Sequence, residues 1–377
     1  MTCRFNFFVN AWKIKGLVNI REKTKNMIKN NIFLKYGSYQ EISRIIGRIS
    51  GVSISYFLNN KKSFMKISNL FRVTDALDIS KRFVEKNIIA YRDHNAQTEF
   101  NLRFPYKLTP LVLRVISHIP GDGNIRRDGF ARWTQIDHSG MYNLLVKIGF
   151  KNISTNGKSL CIPRFLIKLN CITLKLEPKD FKKPRFIETV IDLPRLYRVQ
   201  VILALIEDEA TIDVKNYGPI NIRLADKDLI ESYAKLCDSL NFNRSEIKGR
   251  KNTGFNTKNK IYKLEIFAEG IRKLKVDYDT AIKKFGKNGG LWKKDKEFRE
   301  RCKKAISTRA LKNKEGKKLT EEIIKLLSFN KELSVKMICK LLKTKDYNRV
   351  YDRVRYLCKI KKIKRSGYGK YILIKTL

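Results

Sequence analysis

The amino-acid sequence predicts an α+β fold in which a repeated unit of helices and short strands lies between two mainly helical segments. Three observations predict this fold: hydrophobic spacing that alternates between the periods of helices and strands, an acidic residue that recurs after an apolar stretch, and short helical runs separated by turn residues near both ends. A chain of 377 residues is long enough for more than one hydrophobic core. We divide it into 1–95, 105–282, 283–318 and 319–377.

The N-terminal segment, 1–95, contains two short helical runs joined by a tight turn. Isoleucines at positions 42, 45 and 46 have helical spacing, Ser50 and Gly51 predict a turn, and 52–58 predicts a second helix. With a third helix over 67–77, this order resembles a helix-turn-helix of the lambda-repressor type; an ordinary helical hairpin is the alternative. The resemblance implies that the second helix enters a DNA major groove, and the residues expected to contact DNA are Ser53, Ser55, Tyr56, Lys61 and Lys62.

The central segment, 105–282, contains an internal repeat. Two apolar stretches each have an acidic residue at their eighth position, which is Asp122 in the first and Glu209 in the second. In both cases two strand-like runs follow, and then a helix with an acidic N-terminus. The same order recurs after 87 residues (209 minus 122). It predicts two related units, about 106–190 and 194–275, arranged around a pseudo-twofold axis.

These two stretches resemble the paired motifs of the single-chain, two-motif LAGLIDADG (DOD-type) homing endonucleases. The second stretch carries the match in Leu205-Ile206-Glu207-Asp208-Glu209, and the first keeps Gly121-Asp122-Gly123 after apolar residues. The resemblance implies two αββαββα repeats whose motif helices pack together, with Ser117 and Ala204 where the helices approach most closely. It also implies saddle-shaped antiparallel sheets that lie along the major groove, and side chains expected to face that groove are Arg126, Arg127, Arg132, Gln135 and Arg223.

The same resemblance implies an active site at the base of the motif helices. There Asp122 and Glu209 would lie side by side as catalytic residues and hold about two or three Mg²⁺ ions. Carboxylates suit Mg²⁺, and the metal would orient water and polarise the phosphate. Family members often place a lysine on a late strand of each repeat, and Lys260 and Lys263 are both candidates in the second repeat. The alternative is that the two acids only cap the ends of helices or strands.

The segment 283–318 is a basic bridge that we expect to be helical over about 295–311. It is rich in lysine and arginine, which suits either a solvated face or contact with phosphates.

The C-terminal segment, 319–377, has the element order of a winged helix. Thr320 followed by two glutamates predicts a helix start, and further helices are expected over 333–342 and 347–358. A basic β-hairpin over 360–374 follows as the wing. The third helix would enter the groove and contact DNA through Asn348, Arg349 and Arg353; a protein-binding winged helix is the alternative.

The charge of the chain points to a polyanionic partner. Lys and Arg number 81 against 36 Asp and Glu, a net charge of +45, while 43% hydrophobic residues allow the chain to fold. Seven cysteines without a Cys-x-x-Cys pair and no long apolar run predict a reducing compartment and no membrane span. We therefore expect a monomer in the cytoplasm, associated with the nucleoid, that binds double-stranded DNA without a membrane or protein partner.

Three functions are compatible with these expectations. The first is sequence-specific binding of double-stranded DNA with Mg²⁺-dependent phosphodiester cleavage, which the acids at both eighth positions favour. The second is a non-catalytic DNA-binding transcriptional regulator, which the two helix-turn-helix modules favour, since bacterial sporulation regulators combine a degenerate LAGLIDADG domain with a helix-turn-helix. RNA processing or maturase activity is a third alternative.

Overall fold

The computed structural model describes residues 7–93, 99–100, 104–127, 129–150, 153–216, 218–251, 260–330 and 332–374. The fold is α+β, and the strands of the described residues form five small antiparallel sheets. The contacts divide the chain into two compact units, Met1–Arg301 and Cys302–Leu377. None of the described helices is long and apolar enough to cross a bilayer.

The first part of unit 1 is a group of helices beside a short sheet. Ser38 and Ser50 cap the second and third helices, since their side chains accept hydrogen bonds from Glu41 N and Ser53 N. The strands form the sheet β3-β2-β4-β5 and the pair β1-β6. The elements are β1 Phe8–Val9, β2 Leu17–Ile20, α1 Glu22–Tyr36, α2 Tyr39–Ile46, α3 Gly51–Asn59, β3 Met65–Lys66, α4 Ile67–Ala76, α5 Lys81–Lys86, β4 Ile88–Arg92, β5 Glu99–Phe100 and β6 Tyr106–Lys107.

The predicted helical order in this part is present, with α2, the turn before Gly51, α3 and α4 in sequence. The apolar side of α3 faces inward, because Ile54 and Phe57 are buried at helical spacing. The sheet was not predicted. Its strands have two to five residues, which is too short for alternation to distinguish them from loop.

The second part of unit 1 contains two successive groups of elements in the same order. The first group consists of α6 Pro110–Ser117, β7 Gly123–Ile125, β8 Ala131–Thr134, α7 Ser139–Lys147, β9 Thr155–Asn156, β10 Ser159–Ile162 and α8 Arg164–Leu174. The helix α9 Pro184–Ile191 lies between the groups. The second group consists of α10 Arg195–Glu209, β11 Ala210–Ile212, β12 Ile220–Leu224, α11 Lys227–Ser239, β13 Lys248–Lys251, β14 Lys260–Ile266 and α12 Ala268–Phe285.

The two groups also share their sheet topology. The strand orders are β7-β8-β10-β9 and β11-β12-β14-β13, and all pairs are antiparallel. The helices α6 and α10, which open the two groups, pack against each other. Asp226 caps α11 by accepting from Leu229 N at 3.0 Å. In contrast, Asp137 lies before the N-cap of α7 and accepts from Ser139 N at 2.8 Å.

Unit 2 has a small core of its own. Its elements follow α13 Asp295–Phe329 and are β15 Leu333–Ser334, α14 Val335–Leu341, α15 Tyr347–Lys359, β16 Ile363–Gly367 and β17 Lys370–Leu373. The strands form one sheet of order β15-β17-β16. The core contains Ile323, Leu327, Ile338, Val350 and Val354.

The expected helix break before Thr320 is wrong. The helix α13 is continuous through this position, and Thr320 Oγ1 donates to Gly316 O within the helix at 2.8 Å. Most residues on either side are good helix formers, so the helix continues even through Gly316.

Candidate functional site

The ends of α6 and α10 bring four acidic side chains into one place. Asp122 follows α6, and Glu207, Asp208 and Glu209 end α10; we call these four the acid cluster. A Cβ atom added at Gly121 would lie 3.0 Å from both Asp208 Cβ and Glu209 Oε1. Asp122 and Glu209, which the sequence predicted to be neighbours, therefore belong to adjacent chain segments at this point.

Further contacts join α6 and the residue after it to α10 beside the acid cluster. His118 Nδ1 lies 2.9 Å from both carboxylate oxygens of Asp208, and both side chains are buried. Arg114 Nη1 donates to Gln200 Oε1 at 3.3 Å, and Nη2 of the same arginine lies 4.0 Å from Glu207 Oε2. Ser117 and Ala204 are buried on these helices, as close packing requires. Polar side chains of α6 and of the residue that follows it thus meet polar side chains of α10 between the two helices, which offsets part of the cost of burying them.

Basic residues of the segment 290–294 complete this site. Lys293 Nζ donates to Gln135 Oε1, and Gln135 Nε2 donates to Asp122 Oδ2, so the amide links the ammonium to the carboxylate. Lys294 Nζ donates to Ile206 O at 2.8 Å. Sequence analysis placed both lysines in a basic bridge and missed this role. The available signal was Gly289-Gly290-Leu291-Trp292, a turn and two large apolar residues within a basic run.

Burial controls the protonation of the acid cluster. It raises the pKa of Asp208 to about 8, against the charges of Lys293, Lys294 and Arg114, which lower it. Burial and the charges of Asp122 and Asp208 raise the pKa of Glu209 to about 7. Burial, followed by the charge of Asp208, also raises the pKa of Asp122. Asp208 and Glu209 therefore retain protons near neutral pH.

His118 is the neutral partner in this environment. Burial, reinforced by the positive charge of Arg114, holds its pKa well below the usual range. A neutral His118 can donate its Nδ1 proton to Asp208. The acids therefore lie among donors supplied by the protein itself.

The expected Mg²⁺ ligands Asp122 and Glu209 lie in the acid cluster, and Mg²⁺ binding there stays a prediction. Among the described residues, no group of three or more His, Cys, Asp or Glu side chains has an arrangement that could hold a metal ion. The expected lysines lie on β14. Lys263 pairs with Glu265 at 2.6 Å and is opposite Arg223 in the sheet, while Lys260 is exposed at the start of the strand. Their catalytic role also stays a prediction.

The predicted contact residues of α3 lie on its outer side. Tyr56 is 63% exposed, and Ser53 is exposed beside the cap residue Ser50, whose Oγ lies 2.9 Å from Ser53 Oγ. Ser55 is half-buried and accepts from Asn59 Nδ2 at 3.1 Å.

The two lysines after α3 are both exposed. Lys61 pairs with Glu22 at 3.0 Å. The other, Lys62, lies beside it in the turn, so both ammonium groups can reach solvent or a ligand.

The residues on and beside the sheet β7-β8-β10-β9 that were predicted to face a DNA groove divide into two sets. Arg126, Arg127 and Arg132 are exposed. The guanidinium groups of Arg126 and Arg132 lie 5.7 and 4.9 Å from the ring centre of Phe130. Gln135 instead faces the acid cluster through its bonds to Asp122 and Lys293.

The helix α15 also has two different faces. Arg349 donates to Glu315 Oε2 at 2.7 Å, and the guanidinium of Arg353 lies beside Gly316, so both predicted contact residues face α13. Asn348 is exposed. A groove of about 530 Å³ lies between α15 and the β16–β17 hairpin. Its side chains, which sequence analysis did not single out, include Tyr351, Arg355, Lys361, Lys364 and Arg365.

Comparisons with known proteins correct the family assignment. No family model and no curated protein matches the chain. Among solved structures, full-length DUF199/WhiA from Thermatoga maritima is similar at 12% identity and a TM-score of 0.29, with 67% of this chain and 90% of that chain covered. The expected assignment to the LAGLIDADG homing endonucleases is wrong, because this neighbour is a DUF199/WhiA protein and not a homing endonuclease. The TM-score is too low to carry a functional argument.

Proposed function

We propose that the protein binds double-stranded DNA and acts there as a non-catalytic regulator. The observation that carries this proposal is the groove between α15 and the β16–β17 hairpin. Arg355, Lys361, Lys364 and Arg365 line it together with Tyr351, and none of the described residues that line it is acidic. Cations gathered in one groove repel one another unless an anion lies between them, and phosphates of a DNA backbone meet that need.

The outer face of α3 supports the same proposal from a different part of the chain. Val52, Ser53, Tyr56 and Asn59 are exposed there, and none of them carries a charge. Hydroxyl, amide and apolar groups suit base edges and thymine methyl groups, whereas lysine and arginine suit phosphates. The chain thus offers one surface for reading bases and another for holding the backbone.

Regulation without cleavage is favoured by the environment of the acids. Glu207 accepts from two backbone amides, Asp208 contacts His118, and Asp122 accepts from Gln135. Metal-assisted hydrolysis needs carboxylate oxygens that are available to a metal ion. In this site the protein's own groups already bond to three of the four carboxyl groups, those of Asp122, Glu207 and Asp208.

The experiment begins with selection of bound duplexes from a random pool by the full-length chain. Affinity for the selected duplex is then measured for wild type, for the double variant Arg355→Ala/Lys364→Ala and for Lys325→Ala, which changes an exposed lysine of α13 that does not line the groove. We expect the double variant to bind about tenfold more weakly, since charge-assisted contacts are lost. The control should bind like wild type.

Two different results would contradict the two parts of the proposal. Equal affinity of the double variant and wild type would remove the groove from the DNA interface. Incubation of the selected duplex with wild type and Mg²⁺ should leave it intact. A discrete cut would contradict the regulator and leave DNA binding in place.

A further inference from the structure

We propose that Lys293 is the resident cation of the acid cluster, and that it takes the place of a divalent metal ion there. The inference concerns the free protein and does not depend on DNA binding. It rests on the way the segment 290–294 is held, on the bonds that Lys293 makes, and on the bonds that the acidic side chains already make with other residues.

The segment that carries Lys293 is held in place by contacts with buried side chains. Trp292 N and Lys293 N donate to Glu207 at 3.0 and 2.8 Å, so a buried carboxylate binds two consecutive backbone amides. The Trp292 ring lies 5.0 Å from the ring of His118 and 4.8 Å from the Arg114 guanidinium. Leu291 is buried. The position of the Lys293 backbone is therefore set by the core.

The bonds of Lys293 direct its ammonium toward the acids. Its Nζ donates to Gln135, lies 5.1 Å from the ring centre of Trp133, and is linked through the Gln135 amide to Asp122. Gln135 has one donor and one acceptor end, so a cation on one side and a carboxylate on the other use both ends correctly. The positive charge of Lys293 lowers the pKa of Asp122 and of Asp208, in opposition to burial. The same charge thus acts on acids from both α6 and α10.

A Mg²⁺ ion does not fit this arrangement. It requires about six oxygen ligands in octahedral geometry, and it gains from negative charge that no other cation balances. Asp122 and Asp208 are already bonded to Gln135 and His118. An ammonium at the same cluster would repel the dication, so metal binding would require Lys293 to leave. An alternative role for Lys293, beside a bound metal ion, predicts the opposite result in the experiment below.

The test is terbium luminescence on the full-length protein without DNA. Tb³⁺ seeks carboxylate oxygens, and its emission after tryptophan excitation reports ions close to an indole ring; Trp133 and Trp292 lie at the site. We compare wild type with two variants. Lys293→Met keeps an unbranched side chain that is one atom shorter and removes the charge, and Lys296→Met removes an exposed lysine three residues away. We expect Lys293→Met to bind Tb³⁺ at least about tenfold more tightly than wild type or the control.

A double variant locates the acquired ion. Adding Asp122→Asn to Lys293→Met should abolish the gain, and Mg²⁺ should raise the melting temperature of Lys293→Met more than that of wild type, since a ligand of the folded state stabilises it. If the gain survives Asp122→Asn, the ion binds elsewhere and the proposal fails.

Wild type alone can also overturn the proposal, even if Lys293→Met does not fold. Saturable sensitised emission from wild type that Asp122→Asn removes would show that the acid cluster holds a metal ion beside Lys293. Equal Tb³⁺ affinity of folded Lys293→Met and wild type would show that the ammonium does not compete with metal.

Discussion

Single residues in the acid cluster balance burial against charge. Asp208 is almost fully buried, yet its carboxylate lies at 2.9 Å from His118 and within the field of three cations. Burial outweighs those cations, so the pKa rises despite them. The proximity of Asp122 and Glu209 was expected from the resemblance that the two repeated stretches carry, since both acids occupy the eighth position of such a stretch. The role of Lys293 could not, since no periodic pattern tells where a loop residue packs.

The raised pKa values predict that stability falls as pH rises. In the folded chain Glu209 and Asp208 hold protons up to about pH 7 and about pH 8, whereas in the unfolded chain they release them near about pH 4. Stability is therefore highest at low pH for these groups and is lost as pH rises through the folded pKa values. The lowered pKa of His118 has the opposite effect on stability, and this effect is confined to pH values below about 6.5, the usual pKa of histidine.

We thus expect the melting temperature of wild type to fall between about pH 6.5 and about pH 8, where Asp208 and Glu209 still hold protons in the folded chain but not in the unfolded chain. Asp208→Asn should flatten the fall, because its amide needs no deprotonation and can still accept from His118. The exposed control Asp352→Asn should follow wild type. Identical curves for Asp208→Asn and wild type would mean that Asp208 does not titrate in this range.

A glycine beside the same site gives a second residue-scale prediction. Gly140 is the second residue of α7, and alanine in place of glycine stabilises a helix by at most about 1 kcal/mol. A Cβ there would lie 2.2 Å from the Trp292 ring, and overpacking of this kind costs about 1–3 kcal/mol. The clash exceeds the helix preference, so Gly140→Ala should unfold at lower denaturant concentration than wild type. Gly367→Ala, whose Cβ meets nothing within 4 Å, is the control; equal midpoints for the Gly140 variant and wild type would contradict the packing described.

At the scale of elements, helix existence was predictable and helix ends depended on local chemistry. The third helix of unit 2 was expected over 347–358 and is Tyr347–Lys359, because valines and a leucine at helical spacing face the core. The second was expected over 333–342, but Leu333–Ser334 pairs as a strand before Val335–Leu341 begins. A strand of two residues depends on its partner in the sheet, and its own sequence gives no sign of that partner.

Capping provides the element-scale prediction. Ser50 accepts from Ser53 N at 3.2 Å at the start of α3, whereas the Ser80 side chain makes no capping bond at the start of α5. Ser50→Ala should therefore lower the free energy of unfolding by about 1 kcal/mol, and Ser80→Ala should change it little. Chemical denaturation of the two variants measures the difference. Equal losses would show that the Ser50 hydroxyl does not act as a cap.

At the scale of the whole molecule, the excess of positive charge is the dominant feature. A net charge of +45 is present in a chain whose folded core is ordinary, so the charge serves solvent-facing surfaces rather than folding. Basic residues lie on and beside the sheet β7-β8-β10-β9, after α3 and in the groove beside α15. The total charge was known from sequence, but its separation into these surfaces required the fold.

This distribution predicts a steep salt dependence of DNA binding. Each phosphate that the protein neutralises releases condensed counterions, so about six contacts should give a slope near −5 in a plot of log affinity against log salt concentration. Arg355→Ala/Lys364→Ala should make the slope shallower by about 2 if each residue neutralises one phosphate. In contrast, Tyr56→Ala should weaken binding to the selected duplex and leave the slope unchanged, because its side chain carries no charge. Fluorescence anisotropy across a salt series measures all three proteins. A slope near zero for wild type would contradict the DNA-binding proposal, and an unchanged slope for the double variant would place the phosphates elsewhere on the chain.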